Sequence, residues 1–250
     1  MAQRSATEDQ IGLPCGQRVK KVHLCGMKAH DPHASTNASS RPLVVGLTGG
    51  MAAGKSTVAR MLETLDAAVW DADSVAKDLY KTHAQLRDAI LERWGEALAI
   101  RNRQGEAMDI RRPALAQVIF QDPSELKWLE SQIHPLVADA FEQWLKGLPS
   151  GTKVAVREAA ILFESGSDQG CDLVVSVEAD EALRIERVHQ RAIQRGETPP
   201  TNEDLQGRLS RQWTSAQRME RADAVILNND HDQLLPQVLA LFDAWIGRPC

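Results

Sequence analysis

The feature that most constrains the fold of this chain is the segment GLTGGMAAGKST, residues Gly46–Thr57. In it, Gly49 and Gly54 are separated by four residues and followed at once by Lys55 and Ser56. The preceding run, LVVGL, is short, apolar and rich in β-branched residues, which is typical of a buried strand. The following segment places apolar residues at the i, i+3, i+4, i+7 spacing of an amphipathic helix: Val58, Met61, Leu62 and Leu65. A strand, a glycine loop and a helix in this order make up the complete Walker A phosphate-binding pattern.

The residue types of this loop suit the binding of a nucleoside triphosphate. Glycines allow the backbone to turn its amide N–H groups inward, and the N-terminus of the following helix adds its positive dipole end. We expect Lys55 to bridge the β- and γ-phosphates of ATP and Ser56 to be a ligand of Mg²⁺. The alternative, a glycine turn that only links strand and helix, gives no reason for Lys55. The predicted nucleotide contacts from this segment are Gly49, Gly50, Ala52, Ala53, Gly54, Lys55, Ser56 and Thr57.

Further apolar runs predict the rest of a sheet, and stretches with helical periodicity separate them. The first run is Leu43–Leu47, and the later ones are Ala67–Trp70, Val154–Val156, Leu173–Val177 and Ala224–Leu227. Short apolar strands alternating with helices indicate a five-stranded parallel sheet covered on both faces, a three-layer α/β fold. The segment between the second and third strands is too long for a simple crossover. We interpret it as a helical insertion with one long apolar face: Leu126, Leu129, Ile133, Val137, Phe141 and Trp144.

Composition narrows the class of protein. The formal net charge of −5 argues against a nucleic-acid binder that works through bulk electrostatics. No apolar run approaches the roughly 20 residues that span a bilayer, and we expect no secretory signal in the polar N-terminus. The four scattered cysteines form no C-x-x-C pair, which favours reduced thiols and a cytoplasmic location. Residues 1–41 lack sustained periodicity, and we interpret them as a disordered extension.

Two carboxylates follow the second predicted strand directly, in the sequence DADS. In an extended chain Asp71 and Asp73 point to the same side. Both are then expected to face the crevice at the carboxyl ends of the strands, where open α/β sheets bind ligands. One of them would be placed to accept the proton of an attacking hydroxyl. The alternative is that one of them caps the next helix, and for Asp71 the two interpretations remain equally open.

Six segments together give a specific resemblance. They are LTGGMAAGKSTVA, WDADSVAKDLY, IRRPALAQVIF, ESQIHPLV, AAILFESG and RADAVILNND, and they occur in the order and spacing of the dephospho-CoA kinase family. The chain is similar to this family from about Leu43 to its C-terminus. The resemblance implies transfer of the γ-phosphoryl group of ATP, with Mg²⁺, to the ribose 3′-hydroxyl of dephospho-CoA.

The resemblance also implies a division of residues 42–250 and roles for particular residues. A P-loop core would comprise residues 42–75, 150–180 and 220–250, with a CoA-binding helical insertion at about 76–149 and a lid at about 184–218. By the family pattern Asp73 is the catalytic base, Arg112 and His134 line the acceptor site, and Asn228 lies near the adenine.

The sequence departs from the family pattern in three places. Alanines stand at positions 52 and 53, where the family commonly has glycine or serine, and they permit an amide nest if φ stays negative. The family's frequent P-L-L-F-E lacks its proline in the segment Ala160–Glu164. In the lid pattern R-x-x-x-R-D, Arg191 is followed by Ala192.

Four arginines after the fourth strand fall on one helical stripe, at Arg184, Arg187, Arg191 and Arg195. Arginine fits phosphate bidentately and stabilises charge on a transferred phosphoryl group. For Arg191 we favour this catalytic role. For Arg184 and Arg195 we favour a solvated face paired with glutamates of the same helix. Glu158, at the end of the third strand, is either a carboxylate that acts on Mg²⁺ through water or an exposed charge.

The resemblance, together with these patterns, implies an ATP:dephospho-CoA 3′-phosphotransferase, with ATP and dephospho-CoA as its partners and with no nucleic-acid or membrane partner. We favour a monomer. Another small-molecule or nucleoside kinase on the same fold is the nearest alternative. A nucleotide-gated binding module without phosphotransfer is an alternative of a different class, and it leaves Asp73 unexplained.

Overall fold

The computed structural model describes residues 41–119 and 122–247 of the 250-residue chain. The predicted disordered extension therefore lies outside the described residues, except for Arg41. Among the described residues, no helix has both the length and the apolar character needed to cross a bilayer.

A five-stranded parallel sheet forms the centre of the described structure, as the apolar runs predict. Its strands are β1 (Leu43–Gly49), β2 (Ala68–Asp71), β5 (Val154–Glu158), β6 (Leu173–Glu178) and β7 (Ala224–Leu227). Their order across the sheet is β2-β5-β1-β6-β7, so that β1 lies in the middle. Side chains of the central strands are buried on both faces because helices cover both sides of the sheet.

Helices pack on both faces of this sheet and complete the predicted three layers. The α-helices of the described residues are α1 (Lys55–Thr64), α2 (Ala72–Thr82), α3 (Ala84–Trp94), α4 (Arg112–Ile119), α5 (Pro123–Lys146), α6 (Glu181–Gln194), α7 (Asn202–Leu209), α8 (Ser215–Arg221) and α9 (Leu234–Trp245). One core lies between the sheet and the pair α1 and α9, and includes Val58, Leu62, Val238 and Phe242. The second core lies on the other face, where α2 to α5 pack.

The insertion between β2 and β5 is not all helical, and in this respect the sequence-based prediction is wrong. Besides helices it contains an antiparallel hairpin, β3 (Ala99–Arg101) paired with β4 (Ala107–Ile110). These strands are too short to show a clear alternation of apolar and polar residues, which is why periodicity does not reveal them. The apolar face of α5 is confirmed: Leu129, Ile133, Val137 and Phe141 are buried, and the helix continues through Pro135.

The parallel arrangement brings the carboxyl ends of the five strands to one edge of the sheet. The glycine loop follows β1, and Asp71 is the last residue of β2. Glu158 and Glu178 end β5 and β6, and Asn228 follows β7. Since ligands of open α/β sheets bind at this edge, the polar side chains that end the strands are the ones placed to meet a ligand.

Candidate active site

The glycines of the loop after β1 are required by close contacts as well as by their backbone angles. Gly49 has φ of 147°, and a Cβ there would lie 2.1 Å from the Val177 carbonyl oxygen on the neighbouring strand β6. Gly54 has φ of 108° and is the N-cap of α1, and a Cβ there would lie 2.2 Å from Asn228 Nδ2. Both positions therefore exclude any larger residue, and the loop is fixed against β6 on one side and the end of β7 on the other.

Ala52 adopts the left-handed conformation, with φ of 59°, so the negative φ that was the condition for an amide nest of alanines is not present at this position. The loop must reverse its direction before α1 begins, and in this chain Ala52 makes that turn where glycine would do so without strain. Ala53 does not share the positive φ, and its side chain is fully buried in the core beneath α1.

Lys55 begins α1 and reaches back over the loop, where its Nζ donates a hydrogen bond to the Gly49 carbonyl oxygen at 3.0 Å. Burial lowers the pKa of this ammonium group, and the nearby carboxylates of Asp73 and Glu158 oppose the shift. The lysine is thus held at the base of the loop among opposite charges, which is the position required to bridge phosphates.

Ser56 and Glu158 form the pair that fits magnesium. The Ser56 hydroxyl donates to Glu158 Oε1 at 3.1 Å, and Glu158 is only 9% exposed, so the alternative of an exposed charge at this position is wrong. Burial raises the pKa of Glu158, and the Ser56 hydrogen bond and the Lys55 charge oppose the shift. No cluster of three or more metal-binding side chains occurs within the described residues. Magnesium is commonly held by one or two protein oxygens together with substrate phosphates, and this donor set fits it.

Asp71 and Asp73 have different environments, and the expectation that both lie in extended chain is wrong. Asp71 ends β2 and caps α2, where its carboxylate accepts bonds from the Ser74 amide at 3.0 Å and from the Ser74 hydroxyl at 2.6 Å. Asp73 lies in the first turn of α2. Burial raises the pKa of Asp73, while the Lys55 charge and a hydrogen bond from the Ala160 backbone oppose the shift. Asp71 is therefore the cap, and Asp73 is the carboxylate beside Lys55.

These groups line a cleft of about 680 Å³. The cleft brings together seven of the predicted site residues: Ala52, Gly54, Lys55, Ser56, Thr57, Asp73 and Arg191. Its walls carry six cationic side chains and the two carboxylates Asp73 and Glu158. The cations are Lys55, Arg60, Arg191, Arg195, Arg208 and Arg211. A cleft of this charge suits a polyphosphate.

The remaining predicted nucleotide-binding residues do not line the cleft. They are Gly49, Gly50, Ala53 and Asn228. Asn228 holds the loop itself, since its Nδ2 donates to the Ala53 carbonyl oxygen at 2.7 Å.

The two predicted acceptor residues lie outside this cleft. A second recess, of about 260 Å³, is lined by Asp73, Ala76, Lys77 and Tyr80. Arg112, at the start of α4, is close enough to Tyr80 to oppose the burial that raises the tyrosine pKa to about 12. His134 is half-buried on α5 and lines neither space.

Arg184 does not lie on a solvated face, and in this respect the sequence interpretation is wrong. It is 5% exposed, and a Cβ at Gly50 would lie 2.3 Å from its Nη1. Its partner on the same helix, Glu181, is 3.7 Å away. Arg195 is exposed as expected but lines the cleft.

Sequence reasoning missed a second buried arginine behind the loop. Arg218 on α8 is 1% exposed and pairs with Glu178 through bonds of 2.7 and 2.8 Å. Arg218 Nη2 would lie 3.1 Å from a Cβ at Gly50. The sequence could have indicated Glu178 as a site residue, because it ends a buried strand as Glu158 does. No pattern in the sequence indicates Arg218. Arg60, Arg208 and Arg211 were also missed, although two of them belong to the basic segment GRLSRQW.

A parallel sheet with a glycine loop after its central strand, a half-buried lysine at the start of the next helix and an Asp beside that lysine defines a P-loop phosphotransferase. The family model of dephospho-CoA kinase matches residues 43–233. The chain therefore belongs to the dephospho-CoA kinase family. It catalyses the ATP-dependent phosphorylation of dephospho-CoA, with Mg²⁺ as the metal that the family uses.

Several known proteins are similar to this chain in sequence or in fold. The dephospho-CoA kinase of Chlorobium chlorochromatii is 39% identical over 198 residues, which cover 79% of this chain and 90% of that protein. The enzyme of Geobacillus kaustophilus is 34% identical and is covered to 96% of its length. Among solved structures, TT1252 from Thermus thermophilus matches with a TM-score of 0.66 at 25% identity, covering 83% of this chain and 97% of that one. Dephospho-CoA kinase from Campylobacter jejuni matches in fold, with a TM-score of 0.58 at 21% identity, covering 82% of this chain and 98% of that one.

Proposed function

We propose that this chain transfers the γ-phosphoryl group of ATP to the ribose 3′-hydroxyl of dephospho-CoA, as a cytoplasmic monomer, with Asp73 as the catalytic base. The observation that carries this proposal is the position of Asp73, which lines both the large cationic cleft and the smaller recess on α2. A donor in the first space and an acceptor in the second would meet at this carboxylate.

The reaction at this junction balances without a further reactant. The acceptor oxygen forms a bond to the γ-phosphorus, and the bond from that phosphorus to the β–γ bridging oxygen breaks, so that ADP leaves. Asp73 accepts the proton of the hydroxyl as the new bond forms. The raised pKa of Asp73 suits this role, because a base is most effective when its pKa approaches the working pH.

The donor side of the proposal rests on the loop after β1. Its backbone amides and the N-terminus of α1 would hold the phosphates, and Lys55 would bridge the β- and γ-phosphates. Ser56 and Glu158 would hold magnesium, which neutralises charge on these phosphates when it is bound. Asn228 lies against Ala53 and Gly54, and in the proposal the adenine lies on the outer side of this contact.

The acceptor side rests on the insertion. Lys77 and Tyr80 line the recess beside Asp73, and Arg112 lies near Tyr80. In the proposal the insertion at 76–149 binds the CoA moiety through these groups, and His134 contacts it from α5. The segment 184–218 acts as a lid, in which Arg191 meets the transferred phosphoryl group and helps to exclude water. Residues 42–75, 150–180 and 220–250 form the core.

The first experiment measures the product. Full-length protein is incubated with Mg-ATP and dephospho-CoA, and CoA and ADP are quantified by mass spectrometry. Equal amounts of the two products are expected. ATP binding without turnover of this acceptor would support a nucleotide-gated binding module, and turnover of nucleosides alone would support another kinase of the same fold.

The second experiment tests the base. Asp73→Asn keeps the size of the side chain but loses its basicity, and we expect turnover to fall by about 10²- to 10⁴-fold. ATP affinity, measured by calorimetry, should hold or rise slightly, because a negative charge near the phosphates is removed. Asp71→Asn is the matched control: asparagine still caps α2, and turnover should change little. Near-normal turnover of Asp73→Asn would show that the base lies elsewhere.

A further inference from the structure

Gln212 lies between α7 and α8, and its side-chain amide joins two parts of the site that are far apart in sequence. Its Oε1 accepts a hydrogen bond from the Met51 amide at 2.8 Å, and its Nε2 donates one to the Ala160 carbonyl at 2.8 Å. The side chain is half-buried and lines the cleft. Both ends of the amide are thus used, and each end has the partner that matches its polarity.

The two partners of Gln212 belong to the donor and acceptor sides of the proposed reaction. Met51 lies in the phosphate-binding loop, next to Ala52 with its left-handed backbone. Ala160 lies two residues after Glu158, and its backbone hydrogen-bonds to the Asp73 carboxylate. One side chain therefore connects the loop proposed to hold the phosphates with the backbone that holds the proposed base.

The backbone around Gln212 is fixed independently of its own side chain. The amide of the next residue, Trp213, donates to Glu164 Oε1 at 2.6 Å. The Trp213 ring stacks on Phe163, with ring centroids 5.2 Å apart and planes inclined by 16°. Because the neighbouring residue is anchored to the segment after β5, the amide of Gln212 is positioned to restrain the loop.

We propose that Gln212 is a positioning residue that sets the spacing between the phosphate-binding loop and Asp73. This rests on the proposed role of Asp73 as the base. A side chain that touches neither reacting atom acts through geometry, so its loss lowers the rate of transfer in the complex with both substrates bound. A misplacement of about 1 Å lowers transfer by roughly 10²-fold, and ATP binding to the rest of the loop persists.

Two substitutions separate this role from a structural one. Gln212→Leu removes both hydrogen bonds while keeping an apolar stem of similar length. Gln212→Glu keeps the acceptor for the Met51 amide but, when ionised, places a negative oxygen against the Ala160 carbonyl. When protonated, the same carboxyl group has one acceptor oxygen and one O–H donor, and so restores both bonds of the native amide. Gln206→Leu, on the exposed face of α7, is the matched control.

The experiment measures kcat and KM for ATP and dephospho-CoA between pH 5.5 and 8, together with melting temperature. For Gln212→Leu we expect kcat to fall by about 10- to 100-fold, with the KM for ATP within about threefold of the parent. For Gln212→Glu we expect a similar loss at pH 8, and a kcat ratio to the parent that rises several-fold as the pH falls. Gln206→Leu should match the parent throughout.

Three outcomes would overturn the proposal: a kcat of Gln212→Leu within twofold of the parent, a rise in the KM for ATP with kcat unchanged, or a Gln212→Glu ratio that does not depend on pH. The last measurement decides the question even if Gln212→Leu fails to fold. Failure of the proposed function gives a different result: the parent makes no CoA, or Asp73→Asn keeps its turnover while the Gln212 variants lose theirs.

Discussion

Ala52 gives the clearest test of how the phosphate-binding loop stores strain. Its φ of 59° is a conformation that glycine adopts freely and that costs an L-residue about 1–2 kcal/mol. Ala52→Gly removes this cost in the folded state. Glycine also gains conformational freedom in the unfolded chain, which lowers the free energy of unfolding by about 0.4–1 kcal/mol. The expected net effect is a stabilisation of roughly 0.5–1 kcal/mol.

The neighbouring alanine provides a control of opposite sign. Ala53 has no positive φ, and its methyl group is fully buried in the core below α1. Ala53→Gly therefore gains nothing from strain relief and loses about 0.8 kcal/mol of buried methyl. The glycine also gains the same conformational freedom in the unfolded chain, so that the expected loss in the free energy of unfolding is about 1.5 kcal/mol.

Thermal unfolding measures both variants. For a domain of this size 1 kcal/mol shifts the melting temperature by about 2–4 °C. Ala52→Gly should therefore unfold about 2 °C above the parent, and Ala53→Gly about 4 °C below it. Destabilisation of Ala52→Gly by about 0.4–1 kcal/mol, the unfolded-state contribution alone, would show that the backbone at Ala52 carries no strain, and the argument from its left-handed angle would fail.

Four further predictions follow from charges in and behind the site. Glu158→Gln should raise the Mg²⁺ concentration at half-maximal turnover several-fold, which a magnesium titration at saturating ATP measures; an unchanged midpoint would remove Glu158 from the metal site. The raised pKa of Asp73 places the acidic limb of kcat above the usual aspartate range near 3.8, because turnover is lost as the pH falls through the folded-state pKa and the base is protonated. Since the folded state favours protonated Asp73, its ionised form costs stability above that pKa, and Asp73→Asn should raise the melting temperature at neutral pH; a lower melting temperature would contradict this sign. Arg218→Met leaves Glu178 buried without its cation and should cost roughly 3–5 kcal/mol, seen as a melting temperature about 10 °C lower; a shift below 2 °C would mean that the pair is not closed in solution.

The sequence predicted those parts of the fold that depend on local pattern. Each apolar run found in the sequence became a strand of the sheet, within two residues at its ends, because a strand buried on both faces must be apolar throughout. The apolar face of α5 was predictable for the same reason, since its 3.6-residue period is imposed by one buried side.

The parts that sequence could not predict depend on contacts between distant residues. Arg184 looked like one of four arginines on a solvated stripe, and only the approach of the loop after β1 shows that it is buried against Gly50. The pairing of Arg218 with Glu178 joins residues 40 positions apart. Gln212 reads as an ordinary polar residue in a basic segment, and its two hydrogen bonds depend on where the loops after β1 and β5 meet.

The net charge of the chain is negative, whereas cationic side chains outnumber carboxylates in the lining of the cleft. The chain carries a formal charge of −5, yet six cations and two carboxylates line the cleft. This excess has a consequence for Asp73, whose pKa burial already raises. Phosphates that enter the cleft bring negative charge close to Asp73 and would raise its pKa further, toward a protonated carboxyl that cannot act as a base. Lys55 opposes this shift from the phosphate-binding loop, and Lys77 opposes it from the smaller recess. In the proposed mechanism Lys55 thus has two roles, since it binds the phosphates and keeps the base ionised when the phosphates are bound.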